Sequence, residues 1–510
     1  MHWSDEYVEA LKKRGGSHVI ETGTSISGIP HVGNASDVIR GECVRKALVA
    51  AAQDAELTWV SDDSDPFRNV PAGMEKLAPY LGFPVKDIPD PEGCHKDFVD
   101  HFALPFIDDL AKFGVEPTIY SALELYRTGA FNEEIRTAFA KRSQIVGILN
   151  RFRETPLASD WVPWTPICEK CGRISTTKVA GLEETTVSYV CENKEVSGGE
   201  VTGCGHSGRQ DTLKGMGKLP WRVEWAAKWH RFKVTCEPFG KDHAAAGGSY
   251  DTSSIISGEV FGWEPPQPVV YEFFTLNGAK ISSSKGNVIT LPQWLEISEP
   301  EVLRYFMFKK LNKARDINLK MLPNLEDEYD EAERLYFKKQ EGDVDLAQMY
   351  ELAQIGEPRY MNVPFTICAV LNQVASGDDV IVKAGNMGYE GFDPDRLKLR
   401  VRLAGSWVEI HGPEYLRFRL LSKEESAKEY KGLDEMQRKC LSDLVEEVKK
   451  KPEPEALHKT VYNTARANST DPPKLFEAIY RVLIGKEKGP KAAAFMLTLG
   501  PEYLKARFSP

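Results

Sequence analysis

Pro30-His31-Val32-Gly33-Asn34 places an imidazole, a glycine and a carboxamide where a glycine-rich stretch, Thr22 to Pro30, gives way to helical spacing. A helix start offers free backbone N–H groups and the positive end of a dipole to phosphate. Glycine lets the backbone approach closely, and an imidazole can bind the oxyanion that develops during attack at an α-phosphate. The competing structural reading is a helix cap with an incidental histidine. A second segment, Lys280-Ile281-Ser282-Ser283-Ser284-Lys285-Gly286-Asn287, follows Asn277-Gly278-Ala279 and sets two lysines around three hydroxyls with no apolar periodicity. That composition describes a mobile loop able to close over a triphosphate with charge and hydrogen bonds together. Alone, it also fits a solvated serine-rich linker.

Thiols and imidazoles form a third group. Cys168-x2-Cys171, Cys191 and Cys204-Gly205-His206 supply enough ligands for a tetrahedral structural zinc. Cys204 and His206 compete for the fourth position, and Cys204 is favoured because such a knuckle usually ligates through its cysteine. Asp90, Cys94, His95 and His101 bring a carboxylate, a thiol and two imidazoles close together in sequence. They could fill a second set of zinc positions, against the alternative of a polar loop with a free cysteine. Nine cysteines in 510 residues, several in metal-like spacing, fit a reducing compartment, and no structural disulfide is expected.

These groups need elements to hold them. His18-Val19-Ile20 reads as a buried strand running into the glycine-rich loop, and Val38, Ile39, Cys43, Val44, Ala47 and Leu48 then recur at helical spacing, capped by Asn34 or Ser36. A strand at Glu56–Val60 follows, with Asp62, Asp63 and Asp65 at its end. Strand, helix, strand implies a parallel sheet whose ligands sit at the carboxyl ends of the strands. Strand-like stretches resume at Phe232–Thr235 and Val269–Phe274, so the sheet is expected to be split by an insertion. After about Pro300 the spacing is helical throughout. The expected segments are 1–87, first half of the sheet; 88–215, a zinc-binding insertion; 216–299, second half; 300–335, a set of helices; and 336–510, a helical domain.

With 42% hydrophobic and 27% charged residues, the composition is that of a globular protein. No run of eighteen apolar residues occurs and the start lacks a secretory pattern, so a cytoplasmic protein without membrane contact is expected. The net charge of −10 requires any RNA partner to be held by a local basic surface. Lys309, Lys310, Lys313 and Arg315, then Arg396, Lys398, Arg400 and Arg402, are the candidates for phosphate. Trp407, Tyr480 and Arg481 are candidates for stacking unpaired bases, although core packing is the commoner fate of such residues.

The pair Pro30–Asn34 and Lys280–Asn287 resembles the two signatures of class I aminoacyl-tRNA synthetases, usually His-Ile-Gly-His and Lys-Met-Ser-Lys-Ser. Further segments resemble the class I lysyl-tRNA synthetases across nearly the whole chain: Thr22–Gly28, Trp221–Trp225, Gly240–His243, Ser249–Asp251, Tyr271–Phe273 and Leu483–Pro490. The resemblance implies an α/β fold: a HUP-type Rossmann catalytic domain split by a zinc-bearing insertion that includes the acceptor-stem region (88–215), followed by stem-contact helices (300–335) and an all-α anticodon-binding domain (336–510). It implies ATP-dependent ligation of L-lysine to tRNA(Lys) through a lysyl-adenylate, with Mg²⁺ on the ATP and one or two structural Zn²⁺ ions, the second held by Asp90, Cys94, His95 and His101. It also implies activation only with tRNA bound, and a monomer is favoured.

Carried over in this way, His31, Asn34, Lys280, Ser282 and Lys285 are the catalytic candidates. Pro30, Gly33, Ser283 and Ser284 join His31, Asn34, Lys280 and Lys285 on ATP. Gly23, Ser25, Trp221, His243 and Tyr271 line the amino-acid pocket. Ser283 stands where the general signature has a lysine, which leaves the shares of Lys280 and Lys285 open. A lysine substrate needs apolar surface for its stem and a carboxylate or aromatic partner for its ammonium. Glu224, Asp242 and Glu272 are the acidic candidates. Trp221, Trp225 and Trp229 recur at helical spacing, with Trp221 assigned to the pocket and Trp229 to the core. The competing readings are a synthetase for another amino acid, such as glutamate, and a nucleotidylyltransferase of the same fold.

Overall fold

The computed structural model describes residues 2–281 and 287–509. The chain divides into two compact units, Met1–Leu291 with Met307–Ile317, and Pro292–Phe306 with Asn318–Pro510.

The first unit is built on a five-stranded sheet. Its strands are β1 (His18–Thr24), β2 (Ala55–Ser61), β3 (Thr118–Ser121), β4 (Val234–Gly240) and β5 (Gln267–Tyr271), in the order β5-β4-β1-β2-β3. All four pairings are parallel. Strands covered on both faces read as apolar runs, and β1 and β4 are buried along almost their whole length. The order reverses between β1 and β4, and at that point a crevice opens beyond the strand ends.

Helix α1 (Val32–Ala50) connects β1 to β2. It packs so closely that a Cβ on Gly41 would lie 2.8 Å from Leu57 Cδ1 and 3.0 Å from Thr22 Cγ2. Its N-cap is His31, in extended conformation, and Asn34 returns a hydrogen bond to the His31 amide. The cap expected at Asn34 or Ser36 therefore lies earlier, because the imidazole itself takes the capping role.

Residues 88–215 are not a single insertion. Helix Phe98–Lys112 and β3 complete the first half of the sheet, and the excursion begins only after Ser121. β3 is a short, half-exposed edge strand, Thr-Ile-Tyr-Ser, whose weak apolar signal conceals it. The excursion holds three helices, Ala122–Arg127, Asn132–Ala140 and Arg142–Asn150, and an antiparallel sheet of Thr177–Glu183, Thr186–Cys191 and Ser207–Asp211. Helix α2 (Trp221–Phe232) leads back into β4, ending at Lys233 in a left-handed conformation. Phe232, expected in the strand, is the last residue of that helix. The segment 300–335, expected as one set of helices, is divided: residues 307–317 belong with the first unit, and Arg315–Ile317 is a strand.

The second unit contains only helices among its described residues. Leu441, Leu444, Leu457, Leu475, Leu483 and Phe495 belong to its terminal core. Helix Pro394–Ile410 corrects the basic-surface expectation. Arg396 is buried and paired with Glu299 at 2.7 Å and Glu333 at 2.9 Å, and buried Arg400 with Glu326 at 2.7 Å and Asp330 at 2.6 Å. One helical turn separates the two arginines, so both face inward while Arg402 is exposed. Trp407 is a core residue donating from Nε1 to the Leu319 carbonyl, and the buried Tyr480 hydroxyl donates to the Pro490 carbonyl. Arg481 pairs with Glu429.

Candidate active site

At the start of α1, His31 Nδ1 accepts the Gly33 amide at 3.0 Å and Asn34 Oδ1 accepts the His31 amide at 3.0 Å. A Cβ at position 33 would lie 2.6 Å from the imidazole Cε1, so glycine is required where ring and backbone meet. Burial lowers the His31 pKa, which keeps the ring neutral at pH 7. With Nδ1 accepting, the ring proton sits on Nε2, leaving that nitrogen a hydrogen-bond donor.

The flanks of the serine-lysine segment belong to the same unit. Ala279–Lys280 pairs antiparallel with Phe274–Leu276, which pairs parallel with Arg315–Ile317. Asn287 donates from Nδ2 to the Lys280 carbonyl at 3.1 Å, tying one flank to the other. Two residues on, the Ile289 carbonyl accepts the Val32 amide at 2.9 Å, so the chain leaving this segment is bonded to the first turn of α1. Lys280 Nζ lies 5.7 Å from the centre of the Phe273 ring. Ser282, Ser283, Ser284 and Lys285 fall outside the described residues.

A cavity of about 720 Å³ occupies the crevice at the carboxyl ends of β1 and β4. Gly23, Ser25, Trp221, His243 and Tyr271 all line it, and so does Trp225. Trp221 and Trp225 stack at 5.1 Å between ring centres, with His243 edge-on to Trp225 at 5.6 Å. Burial lowers the His243 pKa. Trp229 is fully buried in the core behind them.

Of the three acidic candidates, Asp242 alone lines the cavity, at its exposed rim. Buried Glu224 is bound by the Tyr126 hydroxyl at 2.9 Å and by Lys218 at 2.8 Å, and Glu272 pairs with Lys241 at 2.8 Å. The wall instead carries Glu21, Asp37, Asp62, Asp65 and Glu237. Asp62 and Asp65 stood out in the sequence as acids at a strand end. Asp37, on α1, did not; nor did Glu21 and Glu237, although a charged residue inside an apolar strand is a readable signal.

Tyr271 donates its hydroxyl to Asp37, and the Arg40 guanidinium lies 4.1 Å from the centre of the Tyr271 ring. Burial raises the Asp37 carboxyl to about 7 against the pull of Tyr271 and Arg40. Glu237 rises to about 8 through burial, opposed by the Trp225 and Trp229 indole donors. Of the cations lining the cavity among the described residues, buried Lys228 pairs with Asp62 and buried Lys218 with Asp65 at 2.5 Å, while the exposed Arg68 lies 4.0 Å from Asp65.

Residues 1–356 match the model of the family described as tRNA synthetases class I (K). The chain belongs to that family. It is 35% identical, over 99% of its length and 99% of the relative's, to the "Lysine--tRNA ligase" of Methanosphaera stadtmanae. It is 37% identical, over 100% of its length and 98% of the relative's, to "Lysine--tRNA ligase 1" of Methanosarcina acetivorans. A solved structure of a glutamate tRNA ligase from Elizabethkingia meningosepticum shares 13% identity, at a TM-score of 0.40, covering 97% of this chain and 98% of that one.

This class I synthetase also brings two ligand sets together outside the cavity. Sulfur atoms of Cys168, Cys171, Cys191 and Cys204 lie within 4.8 Å of one another, with Cys168 to Cys204 at 3.6 Å and Cys171 to Cys191 at 3.7 Å. A tetrahedral ion about 2.3 Å from each sulfur requires sulfurs roughly 3.8 Å apart, so the four thiols fit zinc. His206 is not among them. Its Nε2 meets Glu169 Oε1 at 2.7 Å, while the Cys204 amide bonds Cys191 Sγ. Asp90, Cys94, His95 and His101 form the other set. Cys94 Sγ lies 3.0 Å from His95 Nδ1 and 3.3 Å from His101 Nδ1, and Asp90 Oδ1 is 3.0 Å from His101 Nδ1. Those separations fit a tetrahedral ion with mixed nitrogen, oxygen and sulfur ligands.

Proposed function

We propose that this class I synthetase ligates L-lysine to tRNA(Lys) through a lysyl-adenylate formed from ATP. The observation that carries this reading is the acidity of the cavity: six carboxyl groups line it, and its buried cations among the described residues, Lys218 and Lys228, are already held by carboxylates. A glutamate substrate would need a cation at liberty to meet its side chain, whereas a lysine side chain supplies the missing positive charge. The stacked Trp221 and Trp225 offer the apolar surface its four-carbon stem requires.

In this reading the lysine carboxylate attacks the α-phosphate, and pyrophosphate leaves. His31 donates from Nε2 to the oxygen on which charge grows, and the first turn of α1 adds its N–H groups and dipole. Asn34 holds His31 and the helix start in register. Lys280, Ser282 and Lys285 neutralise the departing pyrophosphate, with Pro30, Gly33, Ser283 and Ser284 completing the ATP contacts. Mg²⁺, when bound to the nucleotide, offsets phosphate charge. A terminal ribose hydroxyl of the tRNA then attacks the mixed anhydride, takes the lysyl group and releases AMP.

We assign structural zinc to Cys168, Cys171, Cys191 and Cys204, and a second ion to Asp90, Cys94, His95 and His101. The helical unit is assigned to the anticodon end of the tRNA, and the excursion after Ser121 to its acceptor stem. ATP–pyrophosphate exchange with lysine and with glutamate, each with and without tRNA(Lys), tests the proposal. Exchange is expected with lysine and tRNA together; exchange driven by glutamate would overturn it.

A further inference from the structure

Glu21 lies within β1, between buried Ile20 and Thr22, and is itself only 2% exposed. It lines the cavity, and its Oε2 has no hydrogen-bond partner among the described residues. The other carboxylates of the inner wall are engaged. Asp37 takes the Tyr271 hydroxyl, Asp62 takes Lys228, Asp65 takes Lys218, and Glu237 accepts the Nε1 protons of both Trp225 and Trp229. A buried carboxyl group with an unpartnered oxygen beside a cavity is costly unless a ligand completes it.

What would complete it follows from its surroundings. Ile20 pairs with Cys236 across the sheet, which sets Glu21 beside Glu237. Burial, and then Glu237, push the Glu21 carboxyl well above its ordinary range, so an empty site favours its protonated form and an arriving cation, by displacing that proton, supplies the charge that lets it ionise. Alternate residues of a strand share a face, placing Glu21 and Gly23 in line, with Ser25 just past the strand end. Each step of two residues advances about 6–7 Å, close to the reach of an extended lysine side chain. Gly23 adds no side chain to block the path.

We propose that Glu21 is the specificity residue that receives the ε-ammonium of the amino-acid substrate. The charged end of lysine then points inward along β1, and its carboxylate stays at the strand end near the first turn of α1. Glu237 is fixed by its two indoles and cannot turn toward the same charge. This assignment rests on the lysine reading above.

The test is pyrophosphate exchange by the full-length enzyme with tRNA present, comparing wild type, Glu21→Gln and Glu21→Asp. Glu21→Gln should raise the KM for lysine by on the order of 100-fold while leaving the KM for ATP unchanged, since a site built to pair a substrate charge discriminates strongly. Glu21→Asp, which keeps the charge, should recover part of that loss. Without lysine, Glu21→Gln should melt no lower than wild type, and lysine should no longer raise its Tm. If wild type uses lysine and Glu21→Gln keeps the wild-type KM, the assignment falls and the lysine reading stands. An unfolded Glu21→Gln also overturns it, because a structural carboxylate would explain that outcome. If wild type uses glutamate instead of lysine, both fall.

Discussion

Because Nδ1 of His31 accepts the Gly33 amide, one ring serves two purposes, capping α1 and presenting Nε2–H. Substitutions can separate them. His31→Asn restores a good cap and removes the imidazole, so exchange should drop by roughly 100- to 1,000-fold while circular dichroism and Tm stay near wild type. Retained exchange in that variant would return His31 to a purely structural part. Asp37 offers a pH test. Its folded pKa of about 7 lies above the ordinary carboxyl value of 3.8, so the folded state holds the proton more tightly. The stability from that proton is present below about pH 4 and is lost as pH rises toward 7. Asp37→Asn keeps an acceptor for Tyr271 and cannot ionise. Its Tm advantage over wild type should therefore grow between pH 4 and pH 7 and level off above; a constant difference would contradict the shift.

At the scale of elements, the contact between α1 and the sheet depends on the absence of a side chain at position 41. Gly41→Val should destabilise the first unit by about 1–3 kcal/mol, read as a lower denaturant midpoint, because Leu57 and Thr22 block the added carbons. The cysteine cluster makes a different claim on its own small sheet. Cys168→Ser should remove one zinc per chain by elemental analysis and increase proteolysis near residues 165–211, leaving the parallel sheet protected; unchanged metal content would remove the assignment.

β1 and α1 are legible in the sequence because each announces itself within a few residues. Glu21 carries a local signal, an acid at the end of an apolar run, but its neighbour Glu237 comes from β4, more than two hundred residues on, so its place in the cavity wall is not legible locally. Arg396 and Arg400 were misread for the same reason. A run of basic residues on one helix resembles a surface until Glu299, Glu326, Asp330 and Glu333 arrive from elsewhere in the unit.

At the scale of the whole molecule, charge is distributed against expectation: an acidic chain buries several of its arginines. Arg400 faces Glu326 and Asp330 with its guanidinium fully enclosed. Removing one side of such a pair strands the other, so Arg400→Met should cost about 3–5 kcal/mol. That loss should appear in thermal unfolding of the helical unit, and a change below about 1 kcal/mol would mean that the two acids find protons or other donors cheaply. The order of the strands has its own consequence during synthesis. When β3 leaves the ribosome, β1 has β2 on one side and bare amides on the other, and more than a hundred further residues must be translated before β4 can cover them. At about 5–20 residues per second, that exposed edge persists for roughly ten seconds. The nascent chain is thus open to unwanted strand pairing at the place where the crevice will later form, and a chaperone holding it through that interval would protect the site before any of its chemistry exists.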